Sequence, residues 1–276
     1  MAGSAQRGRF SLVTRGMFPL LAGALAGCVA TSDTVRSVDS APFSASSGAS
    51  AERKAAIRMQ LAVGYFEQGQ YAVALDEVKL ALASGPDNAE ALGLRGLIEQ
   101  ALGQTVAADE SFRRARRLAP GNPDLANNYG AFLCQNGRVA EAMPLFDAAL
   151  ANRAYRTPAS AANNAGGCAL NIKDYASAER YLLQALQLTP DLPATNANLA
   201  RLYVEKRDLE RAHFFVTRLG EVAKMESLTA DVLWLGIKVQ HRVGDTGAQS
   251  GWVTQLRSRY PGSTEYAAYQ RGAFDE

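Results

Sequence analysis

The side chains in this sequence best suited to chemistry are few: three cysteines and two histidines. His213 and His241 stand 28 residues apart, and neither has a cysteine or carboxylate at the spacing a metal site needs. There is no Gly-rich phosphate loop and no nucleophile-elbow pattern. Asp109-Glu110 and Asp208/Glu210 read as helix-start or exposed-face charges. These residues argue against an enzyme, a metal, a small-molecule substrate or a soluble cofactor. The cysteines carry the sharper signal. Cys134 and Cys168 are candidates for a crosslink, and Cys28 is a candidate for modification because of what precedes it.

Cys28 ends the run Leu25-Ala26-Gly27-Cys28, behind an apolar stretch and behind Arg7, Arg9 and Arg15. A basic start, an apolar middle and small residues before the cut are the anatomy of a secretory signal. Leu-Ala-Gly-Cys resembles the bacterial lipobox, in which the cysteine is lipidated and becomes the first residue of the mature chain. The resemblance implies a covalent diacylglyceryl group and an N-acyl chain such as palmitate on Cys28, and two or more chains hold a protein stably on a membrane. The apolar segment from Met17 to Gly27 has 11 residues. It spans roughly 16 Å as a helix, about half a hydrocarbon core, so it does not cross the bilayer. Val29, and not Asp, follows the cysteine. Under the enteric sorting rule that favours the outer membrane. The first 27 residues hold three arginines and no acid, so the net charge of +2 becomes 2 − 3 = −1 in the mature chain. No field remains to draw nucleic acid.

Elements must position these residues, and the sequence shows which. Residues 28–51, rich in Ser, Ala and Thr, read as the lipidated cysteine and a flexible tether. About 20 such residues reach roughly 25 Å. From residue 52 to 262 the chain repeats itself. An alanine recurs at Ala74, Ala108, Ala142, Ala178, Ala212 and Ala248, at intervals of 34, 34, 36, 34 and 36 residues. Four residues after each comes a large apolar side chain, from Val78 and Phe112 to Trp252. Twelve before each comes a small residue: Ala62, Gly96, Gly130, Gly166, Ala200 and Gly236. Pro86, Pro120 and Pro190 stand twelve after. This resembles the tetratricopeptide repeat, two antiparallel helices per unit. The expected fold is all-α, a superhelix of about six helix-turn-helix repeats with a concave groove lined by the first helices. Two loops are longer by two residues, around Tyr155 and across residues 221–228. Trp234 and Trp252 mark the sixth repeat as a cap. Residues 263–276, with Tyr266, Tyr269 and Phe274, form either a short covering helix or a frayed tail.

Cys134 and Cys168 fall on the first helices of repeats three and four. In an oxidising periplasm a disulfide is the favoured reading, and two buried cysteines acting as small apolar residues is the other. The first helices also carry an asparagine ladder: Asn127 and Asn128, Asn163 and Asn164, then Asn198, with Arg201 one turn on. Asparagine is a poor helix former, so a row of them asks for a reason. Their amides either hold the backbone of an extended peptide or bond the turns between repeats. The run Arg113-Arg114-Ala115-Arg116-Arg117 reads as a solvated helix end before it reads as a binding patch.

Several segments go beyond a generic repeat: Asn127-Asn128-Tyr129-Gly130 running to Cys134, Ala165-Gly166-Gly167-Cys168, and Leu233-Trp234-Leu235-Gly236. Together they resemble the type IV pilus biogenesis and stability lipoproteins of the PilW/PilF family. That resemblance implies paired cysteines at Cys134 and Cys168. It also implies a pilotin on the periplasmic face of the outer membrane, whose partner is the subunit of the pilus secretin. The early repeats are then where to look for the secretin contact, with Gln60, Tyr65 and Leu94 as candidates. An envelope scaffold lipoprotein, for outer-membrane protein assembly or for recruiting cell-wall enzymes, is the alternative reading.

Overall fold

Each repeat folds as two helices because each carries one apolar stripe per helix, and the stripes meet. The computed structural model describes residues 44–275, with side chains from Ser50 onward. The signal segment, Cys28 and the tether as far as Phe43 lie outside the described residues. Twelve helices pair in sequence: α1 (Ser44–Glu67) with α2 (Tyr71–Ser84), α3 (Ala89–Ala101) with α4 (Thr105–Leu118), and α5 (Pro123–Gln135) with α6 (Val139–Ala151). They continue as α7 (Pro158–Asn171) with α8 (Tyr175–Leu188), α9 (Pro193–Glu205) with α10 (Leu209–Val222), and α11 (Ala230–Val243) with α12 (Thr246–Arg259). A short helix, α13 (Thr264–Gln270), follows. Among the described residues no strand occurs and no helix is long and apolar enough to cross a membrane. The fold is an all-α tetratricopeptide-repeat superhelix of six repeats.

Helix α1 starts at Ser44, eight residues ahead of the boundary read at residue 52. Nucleation is the unfavourable step in helix formation, and the packed turns from Ala62 onward supply it. Adding Ser and Ala turns in front then costs little. The other boundaries follow local chemistry. Asn88, Asn122, Asp174, Asp208 and Asp245 cap their helices through side-chain oxygens. Pro123, Pro158 and Pro193 sit in the first turn, where the missing N–H is no loss. The turn inside each of the six repeats needs one left-handed residue. Gly69, Gly103, Gly137 and Gly244 take it in repeats one to three and six, but Lys173 (φ 60°) and Arg207 (φ 57°) take it in repeats four and five. A side chain there costs about 1–2 kcal/mol.

The core is the small–large spacing made solid. Val78, Phe112, Phe146, Leu182 and Val216 are fully buried. A Cβ on Gly130 would stand 2.8 Å from the Phe146 ring, and one on Gly236 would stand 2.5 Å from Trp252. Glycine is therefore what lets the two helices of those repeats close on a ring. The longer loop after repeat three seats Tyr155, 7 % exposed, among Ala126, Ala149 and Ala161. The second long loop forms a 3-10 turn at Met225–Ser227. The tail folds: Tyr266, Tyr269 and Phe274 pack against the core of repeats four to six.

Every first helix also packs on the first helix of the next repeat, α1 on α3 through α9 on α11. Second helices reach the neighbouring repeat through those first helices. The row of first helices is thus one continuous face.

Candidate functional site

Along that face, the residue two before each small packing residue reads Gln60, Leu94, Asn128, Asn164, Asn198 and Trp234. The middle of the row is polar and the last member is aromatic. The asparagines do not bond the turns between repeats, as one expectation held. They bond one another across the seams. Asn164 Nδ2 donates to Asn127 Oδ1 at 3.0 Å, and Asn198 Nδ2 donates to Asn163 Oδ1 at 3.0 Å. The Thr195 hydroxyl donates to the same Asn163 oxygen at 3.4 Å. Asn127 and Asn163 are buried, while Asn128, Asn164 and Asn198 are half-buried at the groove. The turn contact belongs to another residue, Asn196, which donates to Pro190 O and Leu192 O.

The ladder frames a groove of about 200 Å³ lined by Asn164, Gly167, Asn171, Asn198 and Arg201. Gly167 keeps it open, since a Cβ there would press on Asn198 Nδ2 at 3.3 Å. Arg201 stands at its far side, donating to Asp231 at 2.9 Å and to Asn198 at 3.5 Å. The Cys134–Cys168 disulfide ties α5 to α7 on the groove wall, with the two Cα atoms 5.7 Å apart. Asn171 Nδ2 lies 3.6 Å from Cys134 Sγ. Such a surface offers amide donors and acceptors and one guanidinium to an extended backbone.

The early-repeat candidates lie elsewhere. Gln60 is exposed on α1. Tyr65 and Leu94 are half-buried and pack on the first core cluster with Met59 and Phe66. Most of the arginine run is engaged by its neighbours: Arg113 with Asp109 and the Tyr129 hydroxyl, Arg114 with Asp87 and Pro86 O, and Arg116 with Pro120 O.

Sequence reasoning missed that the face deepens beyond Arg201. A cavity of about 240 Å³ lies beside Arg201, Trp234 and Lys238. A larger one, about 560 Å³, lies beside Tyr203, Lys238, Arg242 and Asp275. Lys238 packs its ammonium 5.8 Å from the Trp234 ring. Burial, and then the nearby Arg242, push its pKa below the usual lysine value. Trp234 stands in register with Asn128, Asn164 and Asn198, which was the available signal.

Known proteins share this architecture. Two tetratricopeptide-repeat family models match, one at residues 59–123, 99–157 and 134–193, the other at 172–228. The type IV pilus assembly protein PilF of Pseudomonas aeruginosa is 29% identical over 251 residues, covering 91% of this chain and 95% of that protein. The crystal structure of PilW, a widely conserved type IV pilus biogenesis factor, superposes with a TM-score of 0.69 at 34% identity, over 78% of this chain and 98% of that one. The solved structure of Pseudomonas aeruginosa PilF gives a TM-score of 0.68 at 26% identity, over 81% and 99%. The chain belongs to the tetratricopeptide-repeat proteins of type IV pilus biogenesis.

Proposed function

We propose that this protein is a lipid-anchored pilotin, held by Cys28 on the periplasmic face of the outer membrane, that binds a segment of the secretin subunit and promotes its delivery and multimerisation. The observation that carries this reading is the near-complete overlap with PilW and PilF, 98% and 99% of those chains. The groove of repeats three to five supports it, since amides at Asn164 and Asn198 and the guanidinium of Arg201 suit an extended peptide. Co-anchoring on the membrane raises the local concentration of captured subunits. No bond is made or broken in such a role, so the protein acts as a binding scaffold and not as an enzyme. The test is the state of the secretin in a strain lacking this protein, by fractionation and by a detergent-resistant oligomer gel. Secretin that stays monomeric or in the inner membrane supports the pilotin role. Normal rings with lost pili move the role to fibre stability, and no change in either rejects it.

A further inference from the structure

The chain's own tail lies against the first helix of repeat six. After α13, Gly272 turns the backbone at φ 70°. Ala273 N donates to Ala268 O, and Phe274 N donates to Gly272 O. The turn lays the Phe274 ring flat on His241, with centroids 3.7 Å apart and planes inclined by 17°. Trp234 is 5.6 Å from the same ring, and Tyr269 meets it edge-on at 6.2 Å. Arg242 donates to Phe274 O at 3.2 Å and stands 3.7 Å from the Asp275 carboxylate. Asp275 thereby reaches the 560 Å³ cavity, which shares Val204, Glu205 and Lys238 with the next cavity along the face.

The segment shows what this groove holds: an aromatic ring on an aromatic platform, followed by a carboxylate beside a guanidinium. The acids of this chain that line the cavity beside Trp234 each have a donor: Asp231 accepts from Arg201 and Thr229, Glu205 from the Tyr175 hydroxyl, and Glu265 from the Thr264 hydroxyl. Lys238 lies half-buried, with Arg242 and Arg201 acting against its charge and Glu205 acting for it, and an arriving anion adds to the favourable side of that balance. The outermost contact of the tail is a weak one. Asp275 is fully exposed, and exposed ion pairs contribute little.

We propose that the inner groove of repeats five and six binds an acidic segment carrying an aromatic side chain, and that Phe274 and Asp275 occupy its outer end until such a segment displaces them. The partner is a protein segment in which an aromatic residue precedes carboxylates. Its ring takes the His241 and Trp234 platform, and its acids reach Arg242 and Lys238. The tail acts as a built-in competitor that raises the threshold for binding. This is independent of the pilus reading, because its test uses only the purified chain and a synthetic peptide.

The probe is a fluorescein-labelled Arg-Gly-Ala-Phe-Asp-Glu peptide, the sequence of the tail itself, followed by anisotropy. The full chain carrying Phe274→Ala and Asp275→Asn binds it about ten-fold more tightly than the unsubstituted chain, the scale of one lost aromatic contact. An Arg-Gly-Ala-Phe-Asn-Gln peptide binds about ten-fold more weakly, and adding Arg242→Gln to the doubly substituted chain has the same effect. Asp275→Asn alone, at a fully exposed side chain, keeps the test open if the double substitution disturbs folding; it tightens binding about three-fold. Equal affinity with and without the tail substitutions, no binding by either chain, or indifference to the peptide's charge overturns the proposal.

Discussion

Asn163 is where the structure assigns a residue a job that sequence alone left divided. Its side-chain oxygen accepts from Asn198 at 3.0 Å and from Thr195 at 3.4 Å, joining α7 to α9. Asn163 is 8% exposed and Thr195 fully buried. In Asn163→Ala both donors lose that acceptor. A neutral hydrogen bond contributes about 1 kcal/mol net, and a buried hydroxyl left alone adds a desolvation penalty of about 1–3 kcal/mol. Asn198 sits at the groove and recovers part of its loss from water. The expected destabilisation is therefore about 2 kcal/mol. For a domain of this size that lowers Tm by about 4–8 °C. Thr195→Val alone costs about 1 kcal/mol, and the double substitution costs less than the sum, because Asn163→Ala no longer strands the hydroxyl. The assay is urea unfolding of the four proteins, with m-values compared to confirm that the same transition is followed. Single-mutant losses that add to within about 0.3 kcal/mol refute the reasoning. A loss near zero for Asn163→Ala does so too, and would return the ladder to a purely ligand-facing role.

Three further outcomes follow from the geometry. Lys173→Gly and Arg207→Gly relieve left-handed side chains, and each raises stability in thermal melts by about 0.5–1 kcal/mol after the entropy glycine adds to the unfolded chain. Reducing the Cys134–Cys168 bond, which spans 34 residues, removes about 3–4 kcal/mol of chain-entropy stabilisation, read as a lower urea midpoint, and intact mass rises by the two thiol hydrogens. The hydrogen bond from Lys206, against burial and with help from Tyr203 and Arg211, holds the Glu179 carboxyl below the usual range. A depressed acid stabilises fully above its unfolded pKa, about 4.3, and loses that contribution as pH falls through the lower native value. Tm should thus drop in acid below about pH 4, and Glu179→Gln should lower Tm at neutral pH and flatten that acid drop.

The repeat was legible in the chain alone. Period, small–large spacing and turn residues are local rules that act within one helix pair, so Gly130 and Phe146 are matched by spacing alone. The pairing of Gly236 with Trp252 was legible for the same reason. The start of α1 at Ser44 was not, because a Ser/Ala segment has little preference of its own and takes the state of the helix it joins. The site was legible only as a row of unusual residues on one face. Which asparagine donates to which depends on the offset between neighbouring first helices, and that offset is set by side-chain packing across the seam. The groove beyond Arg201 was hidden for a like reason. Phe274 lies 40 residues from Trp234 in sequence, and only the turn at Gly272 brings the two rings to 5.6 Å. Patterns with a period of one repeat can be read from the chain, whereas contacts between repeats and from the tail exist only once the repeats have stacked.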